Sequence, residues 1–419
     1  MHPNALLELS TELLHRVLQL KHPADGVVSD FFREHRALGS RERHALAETT
    51  YAVLRQRSLF QHLAQSGKGE MERRLAILGW QGNEGFLRGA LSETEQQWLA
   101  QVQKVDRSAL PERLRHNLPE WLAERLHAEL GDEFWPLVEG ISAPAPLDLR
   151  VNTFKAKREE VQAELLRAGV QAEFTPYSPL GLRVHGKPAL HKLEVFMRGD
   201  VEVQDEGSQL LTLLTDAKRG EMVVDFCAGA GGKTLALGAA MRNTGRLYAF
   251  DTSGHRLAAL KPRLARSGLS NVYPAQIAHE RDDRIKRLSG KIDRVLVDAP
   301  CSGLGTLRRN PDMKWRQSPE SVLELVEKQT AILASAARLL KSGGRLVYAT
   351  CSLLRAENEA IADAFTAAHV REFSPLAADV TLARAHVQQP ETLVSGGFLR
   401  LWPHRHQTDG FFAAVWQKT

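Results

Sequence analysis

Met222-Val223-Val224-Asp225-Phe226-Cys227-Ala228-Gly229-Ala230-Gly231-Gly232-Lys233-Thr234 sets the architecture of this chain. A short apolar run gives way to small residues and glycines, as where a strand turns sharply into a helix. From here on, short apolar strands alternate with longer amphipathic helices. Strands are predicted over 222–226, 246–250, 293–297 and 345–349, and helices over 253–267 and 318–340. Leu257, Leu260 and Leu264 mark one face of the first helix, and Ser318 as N-cap with Pro319 at the first helical position opens the second. The alternation is that of an α/β domain, a parallel sheet with helices on both faces.

In such a sheet ligands bind outside the carboxyl ends of the strands. Three segments fall there: Asp225 to Thr234, Val297 to Gly303, and Tyr348 to Ser352. The glycine-rich turn lets the backbone approach a ligand, and the N–H groups at a helix start favour an anion. Asp251 ends the next strand about 20 residues on, where a carboxylate accepts from ribose hydroxyls. Together they predict an adenosine-containing cofactor. A triphosphate-binding loop ending in Gly232-Lys233-Thr234 requires glycine where Cys227 stands, so that match fails.

The three cysteines, Cys227, Cys301 and Cys351, all fall at this ligand edge. Cysteine is the strongest common side-chain nucleophile, although a free thiol is more often inert packing, the reading favoured for Cys227. Asp298 and Cys301, three residues apart in a turn, can face one planar ligand. Arg308, Arg309, Lys314 and Trp315 supply cations and a stacking face, the ingredients for holding single-stranded RNA. For Trp315 a place in the core is the competing reading.

The whole chain has 419 residues, 43% apolar and 25% charged, which suits two or three folded domains and excludes disorder. Three cysteines in no paired spacing exclude a disulfide framework and a structural zinc site, and they fit a reducing cytosol. No secretory signal and no membrane-length apolar run is present. Residues 1–150 carry 18 basic against 21 acidic side chains, whereas residues 255–316 carry 14 against 6. That basic segment accounts for the net +5 of the chain and predicts a polyanionic partner; solvated helix faces are the plainer reading.

Upstream, residues 5–140 show helical spacing throughout, for example Leu46 and Val53 after a start signal at Ser40 with Glu42. Ala143-Pro144-Ala145-Pro146 reads as a linker. A small α+β unit follows, with strands over 147–152, 173–176, 181–185 and 200–204 and a helix over 158–168 that Gly169 terminates.

These residues closely resemble the RsmB-like RNA cytosine-5 methyltransferases, the family that also contains the NSUN proteins. The likeness lies in Asp225 to Thr234, Val297 to Gly303, Arg308-Arg309-Asn310-Pro311-Asp312-Met313-Lys314-Trp315, and Ala349 to Ser352 with Glu357-Asn358. Leu149 to Thr153, Gln204 to Ser208 and Asp409 to Phe412 add to it, so it covers residue 147 to the end. More weakly, Ser40 to Leu59 is similar to the NusB-type RNA-binding domain.

The resemblance implies a Rossmann-like class I methyltransferase domain over 214–419, a small α+β RRM-like subdomain over 141–213 and an all-α NusB-like domain over 1–140. It further implies S-adenosylmethionine held by Cys227, Ala228, Gly229, Ala230, Gly231, Gly232, Lys233, Asp251, Gln276 and Asp298. Cys351 would attack carbon 6 of a cytosine in ribosomal RNA, and Cys301 would assist loss of the carbon-5 proton and release of the adduct. Asp298 and Lys233 would hold or protonate the pyrimidine edge. A stacked base is out of reach, so the cytosine must be unpaired or flipped. The expected enzyme is a cytoplasmic monomer without metal.

Two positions depart from the family pattern. Ala228-Gly229-Ala230 stands where Ala-Ala-Pro is usual, and the acidic residue usual after the third strand is replaced by Gln276, with Asp282 and Asp283 displaced. The second departure supports a rival reading, an RNA-binding or ribosome-assembly protein with a degenerate cofactor pocket.

Overall fold

In the computed structural model, which describes residues 1–419, the run beginning at Met222 lies inside a mixed nine-stranded sheet. Four strands precede it: β1 (Leu147–Val151), β2 (Ala172–Phe174), β3 (Gly181–Val184) and β4 (Val201–Val203). The large sheet holds β5 (Met222–Asp225), β6 (Arg246–Asp251), β7 (Val272–Gln276), β8 (Ile292–Asp298) and β9 (Leu340–Thr350). It is completed by β10 (Phe373–Leu376), β11 (Val394–Ser395), β12 (Phe398–Leu401) and β13 (Phe411–Lys418).

The order is β11-β12-β13-β9-β8-β5-β6-β7, with β10 also paired to β13. The strands from β5 to β9 run parallel, while β13 lies antiparallel on β9 through pairs such as Phe412↔Thr350 and Val415↔Val347. Side chains alternate across the sheet. Val223, Leu296 and Val347 face a core that includes Leu235, Leu257 and Leu260, whereas Val224, Val295 and Tyr348 face Ile332, Leu333 and Ile361. Helices Gly232–Ala240 and Gly254–Ser267 supply the first core, and Pro319–Ala337 and Glu359–Ala368 the second. The topology reverses at β5, whose neighbours β6 and β8 leave a crevice beyond their carboxyl ends.

The chain divides into two compact units, Pro144–Gly305 with Glu320–Thr419, and Met1–Ala143 with Thr306–Pro319. The first contains both sheets, so the small antiparallel sheet, of order β2-β3-β1-β4, shares a unit with the large one and no boundary falls near residue 214. Its core is Leu149, Val161, Leu165, Leu182 and Val201. The second unit is all helical through Phe134–Ser142, and its cores include Leu14, Val53 and Leu75, and Leu13, Phe31 and Leu46.

Thr306–Pro319 belongs to the helical unit, contrary to its expected place in the methyltransferase domain. The last carbonyls of a helix have no partner within it. In helix Ser40–Arg55, Leu54 O accepts from Trp315 Nε1 at 2.8 Å and Arg55 O from Lys314 Nζ at 2.9 Å. Arg55 Nη2 donates back to Arg308 O at 3.1 Å, and Asp312 Oδ2 accepts from Ala24 N at 3.1 Å. No helix is long and apolar enough to cross a membrane.

Candidate active site

The loop after β5 needs glycine at two positions. Gly229 and Gly231 have φ of +57° and +85°, and a Cβ at these positions would run into Arg256 and Leu260 respectively. Gly229 N donates to Asp251 Oδ2 at 2.8 Å, and Asp251 Oδ1 accepts from Ser253 N at 2.7 Å. Asp251 thus ties the loop to the next turn. The loop carbonyls are held from outside: Arg150 Nη1 donates to Gly232 O at 2.6 Å and Arg263 Nη1 to Ala230 O at 2.7 Å. Glu202 of β4 orients Arg263 at 3.0 Å. Hence the small sheet grips the loop that lacks proline. Gly232, Lys233 and Thr234 begin the following helix, where N–H groups have no intrahelical acceptor.

Gln276 ends β7 with its amide donating to Thr252 O at 3.0 Å. Neither nearby acid substitutes for it. Asp282 caps a short helix by accepting from Ala278 N and Arg284 N, and Asp283 pairs with Lys286.

Across the crevice, Lys233 Nζ contacts Asp298 Oδ2 at 2.7 Å. Burial opposes the charge on Lys233, yet Asp298, with smaller contributions from Cys351 and Asp225, outweighs it and raises its pKa above the usual 10.5. Lys233 is therefore an ammonium at neutral pH. Cys301 and Cys351 follow β8 and β9, adjacent parallel strands, and their sulfurs lie 3.4 Å apart. The hydrogen bond with Cys351, then burial, pushes the Cys301 thiol well above its ordinary range, so Cys301 holds its proton. Cys227 is raised as well, by burial and by Asp225, Asp298 and Asp251, in keeping with packing. Gly305 N donates to Cys351 O, and Gly410 N to Gly305 O, each at 2.8 Å, which accounts for Asp409-Gly410 near the C-terminus.

The predicted residues therefore separate. Lys233, Asp251, Gln276, Asp298, Cys301 and Cys351 lie around the carboxyl ends of β5 to β9. Lys314 and Trp315, expected to touch RNA, are engaged as helix-terminal donors. Lys314 is 4% exposed, and burial with Arg55 nearby pushes its pKa down to about 7. Arg308 is also buried, and Arg309 partly so. The sequence reading missed Arg263 and gave no role to Arg150 or Glu357, although both lie in stretches it singled out. No group of three or more histidine, cysteine or acidic side chains is placed to hold a metal.

Comparison with known proteins agrees with this architecture. A family model described as 16S rRNA methyltransferase RsmB/F matches residues 212–417, and one for the ferredoxin-like domain of RsmF/B-like methyltransferases matches residues 118–191. The Bacillus subtilis protein named "Probable ribosomal RNA small subunit methyltransferase B" is 32% identical over 343 residues, 82% of this chain and 75% of its own length. Its namesake in Synechocystis is 35% identical over 306 residues, covering 73% of this chain and 67% of its own. The crystal structure of PH0851 superposes with a TM-score of 0.80 at 26% identity, covering 100% of this chain and 99% of that one.

Proposed function

Because the chain belongs to the RsmB/F family of ribosomal RNA methyltransferases, we propose that it forms 5-methylcytosine in small-subunit ribosomal RNA through a covalent cysteine adduct. The observation that carries this reading is the pair of thiols 3.4 Å apart beside the Lys233–Asp298 pair. Two thiols so placed can serve the two adjacent ring carbons of one pyrimidine.

S-adenosylmethionine fits the donor set of the crevice. The amides at the start of helix Gly232–Ala240 suit its carboxylate, and Asp251 suits its ribose. When bound, it supplies the electrophilic methyl group. Cys351 Sγ adds to carbon 6 of an unpaired or flipped cytosine, which makes carbon 5 nucleophilic. Asp298 and Lys233 hold the polar edge of the ring and supply a proton where negative charge develops. After carbon 5 is methylated, its proton passes to water beside Cys301 and the carbon 6–sulfur bond breaks. The proton on the ring edge returns to the Lys233–Asp298 pair, and Cys351 leaves as the thiolate that attacked.

The test is a pair of substitutions. Cys351→Ala eliminates methyl transfer with RNA binding retained, and Cys301→Ala accumulates a denaturation-resistant protein–RNA adduct. The reverse pattern would exchange the two roles. Bisulfite mapping of RNA from a deletion strain identifies the modified cytosine.

A second reading, an RNA-binding or assembly protein that no longer uses the cofactor, is favoured by Gln276, whose amide turns onto Thr252 rather than toward a ligand acceptor. Calorimetry decides: absence of S-adenosylmethionine binding at millimolar concentration selects it.

A further inference from the structure

Glu357 is fully buried, and no lysine, arginine or histidine pairs with it. A carboxylate accepts only, and a buried one without a cation must be compensated by donors. Four converge on it. Oε1 accepts from Ser302 N at 2.8 Å and Gln329 Nε2 at 2.9 Å; Oε2 accepts from Ser302 Oγ at 2.5 Å and from Ser352 Oγ. Gln329 Nε2 also donates to Pro300 O at 3.0 Å. The two serine hydroxyls are 3.1 Å apart.

Ser302 and Ser352 directly follow the two cysteines, and Pro300 precedes Cys301. Glu357 thus holds the residues after Cys301 and Cys351 directly, and Gln329, which donates to it, holds the carbonyl before Cys301. The loops leave neighbouring strands, and hydrogen bonding between β8 and β9 ends at the Asp298↔Ala349 pair. Beyond it, Gly305 N donates to Cys351 O, and Ser302 and Ser352 meet both directly and through Glu357, whose Oε2 accepts from both hydroxyls.

We propose that Glu357 is a positioning residue that holds the Cys301 and Cys351 loops at the spacing needed to serve one pyrimidine ring. The proposal rests on the two-cysteine mechanism above, and Glu357 acts only through Ser302 and Ser352. Misplacing a reacting group by about 1 Å costs roughly 100-fold in rate.

The role is geometric, which distinguishes the substitutions. In Glu357→Gln the retained oxygen still accepts from Ser302 N and Gln329, while the new NH₂ donates to both hydroxyls, which rotate to accept. Glu357→Leu keeps comparable bulk and removes every acceptor. We expect Glu357→Gln to stay within about threefold of wild-type turnover and Glu357→Leu to lose roughly 100-fold in kcat with the KM for S-adenosylmethionine unchanged.

A readout independent of methylation is phenylarsine oxide, whose arsenic bonds to two adjacent thiols as its oxygen leaves as water. Wild type and Glu357→Gln should bind one equivalent and protect Cys301 and Cys351 from alkylation, while Glu357→Leu should not. Failure of wild type to bridge, or bridging by Glu357→Leu as in wild type, overturns the proposal. If Glu357→Leu does not fold, the double substitution Ser302→Ala with Ser352→Ala removes both hydroxyl arms and frees the Cys351 loop from Glu357, leaving of the two loops only the residue-302 N–H on Oε1. Undiminished bridging in that variant overturns it equally. Bridging that follows this pattern in a protein without methyl transfer supports the positioning role while rejecting the proposed function.

Discussion

Lys233 Nζ lies 2.7 Å from Asp298 Oδ2, so the cofactor loop and the Cys301 loop are joined by one ion pair across the point where the sheet topology reverses. Burial alone would drive the Lys233 ammonium toward neutrality; Asp298 prevents it.

Asp298→Asn should therefore bring an alkaline limb into the accessible pH range. In wild type the Lys233 pKa is raised, so the favourable pairing is fully present below the ordinary 10.5 and is lost only as pH rises through the higher folded value. Without Asp298, desolvation is no longer outweighed and the pKa falls. The pH–rate profile of the variant should decline at a lower pH than that of wild type, apart from any loss in the pH-independent rate. Coincident alkaline limbs would remove Asp298 as the controlling charge.

What the sequence disclosed and what it withheld have physical causes. The strand–loop–helix at Met222–Ala240 is a local signal, since an apolar run and obligatory positive-φ glycines lie within a few residues of each other. The cysteines were placed because strand ends define the ligand edge. By contrast, β7 contains Pro274 and an exposed Tyr273 at the sheet edge, so no apolar run marks it. β13 is buried along most of its length, without the alternation that separates a strand from a buried helix, and its partner β9 is distant in sequence. The donors at 314 and 315 meet carbonyls at 54 and 55, a pairing no periodicity encodes. Glu357 is marked in the sequence only by the family likeness of Glu357-Asn358, because no local pattern tells a buried glutamate from an exposed one.

Trp315→Phe should weaken the helical unit rather than RNA affinity. It removes the donor to Leu54 O and leaves a helix-terminal carbonyl short of a partner, which costs about 1–3 kcal/mol. Denaturant unfolding of the purified protein measures the loss. Unchanged stability with weakened, salt-sensitive RNA binding would return Trp315 to the RNA contact predicted from sequence.

Arg263→Ala should weaken the cofactor about tenfold, or roughly 1.4 kcal/mol, because Ala230 O loses its external donor and the loop without proline loses a restraint. Glu202→Gln should produce a smaller change in the same direction, since it releases Arg263 without deleting it. Titration with S-adenosylmethionine reads both. Arg150, held by Gly232 O and the Gln204 side chain, is buried deeply enough that its pKa falls to about 10, still charged at neutral pH. Its removal is expected to cost stability as well as affinity. Cofactor affinity unchanged in Arg263→Ala would show that the loop keeps its shape without the grip of the small sheet.

Asp225 should make the protein less stable as pH rises, the opposite of an ordinary paired carboxylate. Burial first, then Asp298 and Asp251, push its pKa from 3.8 to about 7, although Thr234 and Lys233 act the other way. Below 3.8 the folded and unfolded chains both hold the proton, and no penalty arises. Between 3.8 and about 7 the unfolded chain releases it while the folded chain keeps it, so stability falls with pH and levels off above the folded value. The full difference is on the order of 4 kcal/mol. Asp225→Asn retains an acceptor for the Thr234 hydroxyl, which donates to Asp225 at 2.7 Å, and carries no titrating proton. The stability of wild type relative to this variant should therefore decline from acid to neutral pH and stay constant beyond. A difference that is flat across that window would mean that Asp225 is already ionised in the folded chain and that the crevice is wetter than its burial implies.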